Sequence, residues 1–200
     1  MWDDVEAPEP SDRRSLFFKA MTGRETAAVS GNKSESILDM LKTVAHRPNG
    51  TVDTKRAAQE LGVSQRTIQR WVKGTQKPNL QHGKTLKKKS RQVASTKAGR
   101  KKAIQESLKG SRKRMAQRGA KITVKGMQGV SGTNSMGDDY KRLRSATLNL
   151  TPDQMQDLMH AYAETGDRGI GEYLEKLYSD NYGAGQWNMK WISDINLKEI

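Results

Sequence analysis

The chain has 200 residues and a formal net charge of +14 at pH 7, with 36 lysines and arginines against 22 acidic residues. Only 34% of the residues are hydrophobic, there is no cysteine, and the mean hydropathy is -0.87. These values exclude disulfides and thiolate metal sites and favour two small packed units over a single large core, and no apolar run approaches the length of a membrane span. They predict a cytoplasmic, nucleoid-associated protein that has a polyanion as its partner and makes no contact with a membrane.

Residues 1–31 are acidic and then mixed, with prolines and scattered serine, threonine and glycine. This composition predicts a disordered N-terminal tail, although Leu16-Phe17-Phe18 forms a small apolar island. In residues 34–45 apolar side chains recur at helical spacing, and a proline and a glycine follow directly. We therefore expect a helix there. His46 lies at the end of this helix, and we expect it at the surface rather than in a catalytic site.

Residues 53–74 have the pattern of a helix-turn-helix, in which two short helices are joined by a tight turn. Small and apolar residues at helical spacing give each helix one face to bury. Gly62 can take the left-handed conformation of such a turn, while Asp53 and Ser64 are placed to cap the two helices. The sequence thus predicts an all-α helix-turn-helix domain over residues 32–78.

The polar face of the second helix is suited to reading the major groove of DNA. Arginine can pair with both acceptors of guanine, and glutamine with the acceptor and the donor of adenine. In this motif the N-terminal residues of the second helix reach the base edges. The predicted base-contacting residues are Ser64, Gln65, Arg66, Gln69 and Arg70. An ordinary helical hairpin with a polar outer face is the alternative interpretation.

Residues 79–118 form a basic segment with fourteen lysines and arginines and one acidic residue, Glu106. Their apolar residues are too sparse for a strong core stripe, so we expect a connector of exposed helices that form partly when phosphates neutralise them. Phosphate contacts add affinity and salt dependence but carry no sequence information. With one residue from the preceding helix, the predicted phosphate-contacting residues are Lys73, Lys84, Lys87, Lys88, Lys89, Arg91, Arg100, Lys101, Lys102, Arg112, Lys113 and Arg114.

Residues 119–200 differ in character from the basic segment, because they contain stretches in which apolar and polar residues alternate. The alternation predicts strands over residues 121–125 and 146–150, and a glycine-rich loop follows the first strand. A helix then begins at Thr151-Pro152, since threonine caps a helix and proline is tolerated in the first turn.

A second helix over residues 170–181 and a third strand over residues 187–197 complete the order β-β-α-α-β. The predicted fold class is therefore α+β, with an N-terminal all-α helix-turn-helix domain, a basic helical connector and a small C-terminal α+β domain. Basic residues are scarce after Arg144, so we expect this last domain to contact other proteins.

The sequence contains no pattern that is typical of a metal site, because its three histidines lie far apart and cysteine is missing. It also lacks the Gly-x-x-x-x-Gly-Lys motif that cradles phosphates. Asp138 and Asp139 could share a divalent ion, but adjacent aspartates more often cap a turn or pair with arginines such as Arg142. We therefore expect neither a metal nor a cofactor.

The order of these features resembles the telomere terminal proteins of actinobacterial linear chromosomes and plasmids. The resemblance rests on Leu-Gly-Val-Ser-Gln-Arg-Thr in the turn, Asp138-Asp139 before Arg-x-Leu-Arg, and Thr151-Pro152 before a helix pair and a closing strand. It spans residues 34–200, and its second half is the more specific part. It implies a protein that binds the ends of a linear replicon and stays covalently attached to the 5′ strand. There a side-chain hydroxyl primes a DNA polymerase.

In that family the priming threonine lies just before the Asp-Asp pair, a position that Met136-Gly137 occupies here. The resemblance therefore implies one of two cases: either priming has moved to one of the nearest hydroxyls, Ser131, Thr133 and Ser135, or the chain no longer primes and only binds DNA. The implied partners are DNA, a DNA polymerase, a second telomere-binding protein and another copy of the chain. The chain itself would not be an enzyme, and at most it would act as a protein primer with the polymerase.

Two other classes of function fit the same pattern. One is a helix-turn-helix transcriptional regulator of a plasmid or phage without covalent chemistry, which would bind as a dimer to half-sites about 34–36 Å apart. The other is a structural nucleoid protein, which would bind DNA without sequence preference and with a steep dependence on salt.

Overall fold

The computed structural model describes residues 10–24, 36–110, 112–131, 141–182 and 185–200. This part of the chain combines helices with one small three-stranded antiparallel sheet. The helices are α1 (Pro10–Thr22), α2 (Ile37–Val44), α3 (Thr54–Leu61), α4 (Gln65–Val72), α5 (Leu80–Ser95), α6 (Lys97–Ser107), α7 (Lys113–Arg118), α8 (Pro152–Thr165) and α9 (Asp167–Tyr182). The strands are β1 (Ala120–Ser131), β2 (Arg142–Leu150) and β3 (Gln186–Glu199). Among these described helices, none is long and apolar enough to cross a membrane.

Helix α1 stands where the sequence predicts a disordered tail, so that prediction is wrong for residues 10–22. The side chains of Phe17, Phe18 and Met21 are buried in the larger of two apolar clusters. The apolar island could not be assigned to the core from sequence because its partners, β3, α5, α6 and α9, follow much later in the chain. Gly23 and Arg24 follow this helix, and the rest of the predicted tail lies outside the described residues.

The smaller apolar cluster is built mainly by α2, α3 and α4. Leu41 of α2, Ala57 of α3 and Ile68 of α4 are fully buried in it, so α2 supplies the floor beneath the α3–α4 pair. Leu86 of α5 belongs to the same cluster, whereas Ala94 of that helix belongs to the larger one. Helix α5 therefore packs against both clusters.

The basic segment is helical and partly buried, in contrast to the predicted connector of exposed helices. Ile104 of α6 and Met115 of α7 are buried in the larger cluster. Small polar residues also face inward, since Ser90 of α5 and Ser107 of α6 are buried. The sequence pattern missed this packing because small residues, rather than a stripe of large apolar ones, allow these helices to approach their neighbours.

The sheet has the strand order β2-β1-β3, with both pairings antiparallel. Strand β1 is longer than predicted and continues through Gly126 and Gly129, which the sequence assigned to a loop. A side chain at Gly126 would collide with the backbone of Trp191 on β3, where the register shifts between Lys125 and Gly126. Glycine therefore allows a close strand contact at this position instead of ending the strand.

The second half of the described chain has the predicted order of elements, β1, β2, α8, α9 and β3. Thr151 caps α8 as predicted: its Oγ1 accepts a hydrogen bond from the Gln154 amide at 3.2 Å, and Gln154 Oε1 accepts one from the Thr151 amide at 3.0 Å. Leu158 of α8 and Leu174 of α9 are fully buried against one face of the sheet. This face of the sheet forms one side of the larger cluster.

Candidate nucleic-acid interface

Helices α3 and α4 meet at a tight turn whose caps follow from the local sequence. Asp53 Oδ1 accepts a hydrogen bond from the Arg56 amide at 3.1 Å, which caps α3. Gly62 ends α3 with φ +67°, and Ser64 Oγ accepts a hydrogen bond from the Thr67 amide at 3.1 Å to cap α4. The two predicted caps and the predicted left-handed glycine are confirmed.

One face of α4 is buried and the opposite face is exposed. Ile68 and Trp71 are buried in the smaller cluster. Arg66, Gln69 and Arg70 are exposed, and within the described part of the chain their side chains form neither hydrogen bonds nor ion pairs. These three predicted base-contacting residues are therefore free to bind another molecule.

The other two predicted base-contacting residues, Ser64 and Gln65, are exposed but already hydrogen-bonded. The Ser64 hydroxyl caps α4 and lies 2.9 Å from Thr67 Oγ1. Gln65 Nε2 donates to Thr54 Oγ1 at 2.9 Å, which joins the first residue of α4 to the first residue of α3. Gln65 thus helps to hold the angle between the two helices, whereas Ser64 fixes the start of α4.

The predicted phosphate-contacting residues divide into exposed cations and cations that bind the protein itself. Side chains with no hydrogen bond or ion pair among the described residues are those of Lys73, Lys84, Lys88 and Lys113, all of them exposed. Lys87 and Arg91 on α5 are exposed as well. Lysines at the start and in the middle of α5 therefore form an accessible basic surface. Helix α5 is the element that follows α4 along the chain.

Arg100 does not fit the predicted role, because its side chain is buried and only 8% of the residue is exposed. Its guanidinium donates hydrogen bonds to three backbone carbonyls: Ser95 at 2.8 Å, Tyr162 at 3.0 Å and Glu164 at 3.1 Å. These carbonyls belong to the last turns of α5 and α8, where helices leave acceptors without partners. Arg100 therefore caps two helix ends, and the prediction that it contacts phosphate is wrong.

Three further predicted phosphate contacts are lysines that pair with acidic residues from other helices. Lys89 and Lys102 lie 3.2 Å and 3.5 Å from the carboxylate of Glu60 on α3. Lys101 lies 2.5 Å from Glu164, which also pairs with Lys97. Hydrogen bonds from these two lysines lower the pKa of Glu164 to about 2. A phosphate would have to compete with these carboxylates.

Two arginines near α7 also bind the protein itself. Arg112 is half-buried, and it donates hydrogen bonds to the carbonyls of Ala20 at 3.0 Å and Lys19 at 3.3 Å, near the end of α1. Burial lowers the pKa of Arg112. Arg114 is exposed and lies 3.4 Å from the carboxylate of Glu199 on β3. Arg112 is thus a helix cap rather than the predicted phosphate ligand, while Arg114 remains accessible.

A partly buried ion network that the sequence pattern did not reveal joins three separate segments. Glu106 of α6 lies 2.8 Å from the guanidinium of Arg24, which is 2% exposed, and 2.6 Å from that of Arg56 on α3. The two arginines and Glu106 line a cavity of about 130 Å³, which Glu60 and Lys89 also line. The available signal was that Glu106 is the one acidic residue of the basic segment.

His46 is half-buried rather than at the surface as predicted. Burial, and then the positive charge of Arg24, lower the pKa of His46 to about 4. The imidazole is therefore neutral at neutral pH. Its backbone pairs with Val52 in an isolated antiparallel bridge, which places the histidine in the loop that leads to α3.

The candidate priming hydroxyls and the paired aspartates fall outside the part of the chain that can be described. This holds for Thr133, Ser135, Asp138 and Asp139, and for the side chain of Ser131 at the end of β1. In the described residues, no three histidine, aspartate or glutamate side chains lie close enough together to hold a metal ion. Comparisons with protein-family models, curated proteins and solved structures find no match for this chain.

Proposed function

We propose that this chain is a sequence-specific DNA-binding protein that reads base edges with α4. The observation that carries the proposal is the exposed face of α4, where Arg66, Gln69 and Arg70 have no partner among the described residues. Guanidinium and amide groups are the donors and acceptors that discriminate base pairs in the major groove. The net charge of +14 supports a polyanionic partner.

In the proposed complex α3 and α4 act as a helix-turn-helix, with α4 in the major groove and α3 across the backbone. Ser64 and Gln65, at the N-terminal end of α4, would lie near the bases. The exposed lysines would contact phosphates, chiefly Lys73, Lys84 and Lys88. Because Arg100 and Arg112 cap helices instead, the phosphate contacts in this proposal are fewer than the basic segment suggests.

The narrower proposal is a protein of a bacterial linear or mobile replicon that binds telomeric DNA and primes end replication. It rests on the sequence resemblance to telomere terminal proteins. The hydroxyl of Ser131, Thr133 or Ser135 would attack the α-phosphate of a deoxynucleoside triphosphate, so that a phosphodiester forms and diphosphate leaves. A DNA polymerase would supply the metals and the catalysis.

The DNA-binding proposal is tested with Arg66→Ala in the full chain. A preferred duplex is first selected from a random-sequence pool, and dissociation constants are then measured for that duplex and for random duplex at one salt concentration. If Arg66 pairs with a base, Arg66→Ala weakens binding to the preferred duplex by about 1–3 kcal/mol and leaves random duplex nearly unaffected.

Arg118→Ala is the matched control, because Arg118 is an exposed arginine with no side-chain partner in the described part of the chain. It should weaken binding to both duplexes equally, or to neither. An equal loss on both duplexes for Arg66→Ala would contradict a base-reading role for α4. Failure to select any preferred duplex would contradict sequence-specific binding altogether.

The priming proposal needs a separate measurement, namely mass spectrometry of protein purified from its own host after exhaustive nuclease digestion. A nucleotide adduct on the peptide that holds Ser131, Thr133 and Ser135 would support it. Unmodified peptide in replicon-associated material would contradict priming and favour a transcriptional regulator without covalent chemistry.

A further inference from the structure

The two faces of the three-stranded sheet differ sharply in what lies against them. On one face Ile122 and Val124 of β1 and Ala146 of β2 are buried, and they belong to the larger cluster together with residues of α8 and α9. Tyr178 of α9 donates a hydrogen bond to the carbonyl of Ala146 at 2.9 Å. Residues of the larger cluster therefore cover this inner face.

The opposite face is polar over the rows nearest the start of β1, and we call this part the outer face; the next row, Leu143–Met127–Trp191, is apolar and at least partly buried. The strand register defines three rows across it: Asn149–Lys121–Lys198, Thr147–Thr123–Asn196 and Ser145–Lys125–Asp194. Eight of these nine residues are exposed and Thr123 is half-buried. Their exposure means that none of the described helices lies over these rows.

The charges on the outer face are not balanced within the sheet. Lys121 of β1 lies directly opposite Lys198 of β3, and like charges in opposed positions destabilise a sheet. Asp194, opposite Lys125, is the one acidic residue in the three rows. Within the described residues, none of these three lysines forms an ion pair. An anion bound at this face would relieve the repulsion between Lys121 and Lys198.

The spacing of the rows matches duplex DNA. Lys121 and Lys125 are four residues apart on one face of a strand, a span of about 13 Å. The major groove is about 12 Å wide, so two such lysines can reach the phosphate backbones on its two sides. The middle row presents hydroxyl and amide groups, and Thr123 Oγ1 and Thr147 Oγ1 lie 3.0 Å apart. Side chains of these types contact phosphate, sugar and base edges.

We propose that the outer face of the sheet is a second DNA-binding surface, at which Lys121, Lys125 and Lys198 contact the phosphate backbones of a duplex. The inference rests on the proposed function in that the ligand is DNA, but it does not require α4 to read bases. A protein with this surface holds DNA through its second half as well as through its helical first half.

The test uses the full chain with Lys121→Gln, Lys125→Gln and Lys198→Gln combined. Binding to random duplex is measured by fluorescence anisotropy over a series of salt concentrations. Each phosphate contact contributes about 0.9 to the slope of log affinity against log salt, so the variant should lower that slope by about 2 to 3. The matched control combines Lys109→Gln, Lys176→Gln and Lys190→Gln, three exposed lysines away from the outer face.

A slope that is reduced in the outer-face variant and restored by Lys→Arg at the same three positions would support the proposal, because arginine keeps the charge. A slope equal to that of the control would overturn it while leaving the reading by α4 untouched. If wild-type protein binds random duplex and shows no preferred sequence, but the outer-face variant still lowers the slope, the proposed base reading fails and this inference stands. No binding of wild-type protein to any duplex would overturn both.

Discussion

Arg100 explains why a cation in a basic segment need not bind an external anion. Its planar guanidinium presents several donors in a fixed geometry, and here they meet the carbonyls of Ser95, Tyr162 and Glu164. The guanidinium also lies 5.9 Å from the centre of the Tyr162 ring. One side chain thereby joins the ends of α5 and α8, which are distant in the sequence.

We predict that Arg100→Ala lowers the free energy of unfolding by about 2–4 kcal/mol, because it removes the charged donors of three carbonyls, one of them in a buried and two in part-buried hydrogen bonds. Arg100→Lys should recover only part of the loss, since an ammonium cannot reproduce the guanidinium geometry. Urea denaturation followed by circular dichroism measures both. Lys88→Ala is the control and should change stability by less than about 0.5 kcal/mol. Equal stability of Arg100→Ala and wild type would contradict the capping role.

The α3–α4 turn is the element on which the proposed DNA reading depends. Gly62 has φ +67°, and a Cβ built there meets no atom within 4 Å. Any cost of a side chain at Gly62 therefore comes from the backbone conformation and not from crowding. Gly83 within α5 has equally open surroundings, but its backbone is helical. A comparison of substitutions at the two glycines therefore separates the effect of backbone conformation from the effect of packing.

We predict opposite effects for alanine at these two positions. Gly62→Ala should destabilise the protein by about 1–2 kcal/mol, because a non-glycine residue must adopt the left-handed conformation. Gly83→Ala should stabilise it by about 0.5–1 kcal/mol, because alanine favours helix more than glycine does. Thermal unfolding of the two variants and wild type provides the comparison. A destabilising effect of similar size in both would show that the turn has no special requirement for glycine.

On the scale of the whole molecule, the Glu106 network connects the two apolar clusters. Arg56 extends from α3 of the smaller cluster, Glu106 from α6 of the larger one, and Arg24 follows α1. The carboxylate offsets two positive charges, one of them on a side chain that is 2% exposed. Removing the carboxylate charge leaves that guanidinium buried and unbalanced, which is costly in a low-dielectric site.

We therefore expect Glu106→Gln to destabilise the protein by about 2–3 kcal/mol. This loss is smaller than for a fully buried ion pair, because the Glu106 side chain is 24% exposed. Glu172→Gln is the control, since the Arg168–Glu172 pair is 82% and 60% exposed. It should leave the free energy of unfolding nearly unchanged. Chemical denaturation measures both losses, and hydrogen exchange in α3 should rise in Glu106→Gln. Indistinguishable losses would mean that the network contributes no more than a surface ion pair.

Local patterns in the sequence predicted a large part of the fold. The periodicity of residues 34–45 predicted α2, and the caps at Asp53, Ser64 and Thr151 marked the starts of α3, α4 and α8. These features involve residues within one or two helical turns of each other. Propensity, capping and periodicity are physical effects of that short range, so a single sequence reveals them.

The tertiary structure alone decided which charges remain available for a partner. Arg100 and Arg112 have the same local surroundings as the exposed lysines in the sequence, yet they cap helices that lie far away along the chain. Lys121 and Lys198 come to oppose each other only through the strand register. Composition by itself determined the net charge of +14. Burial and pairing depend on contacts between distant segments, and folding therefore determined where that charge is exposed.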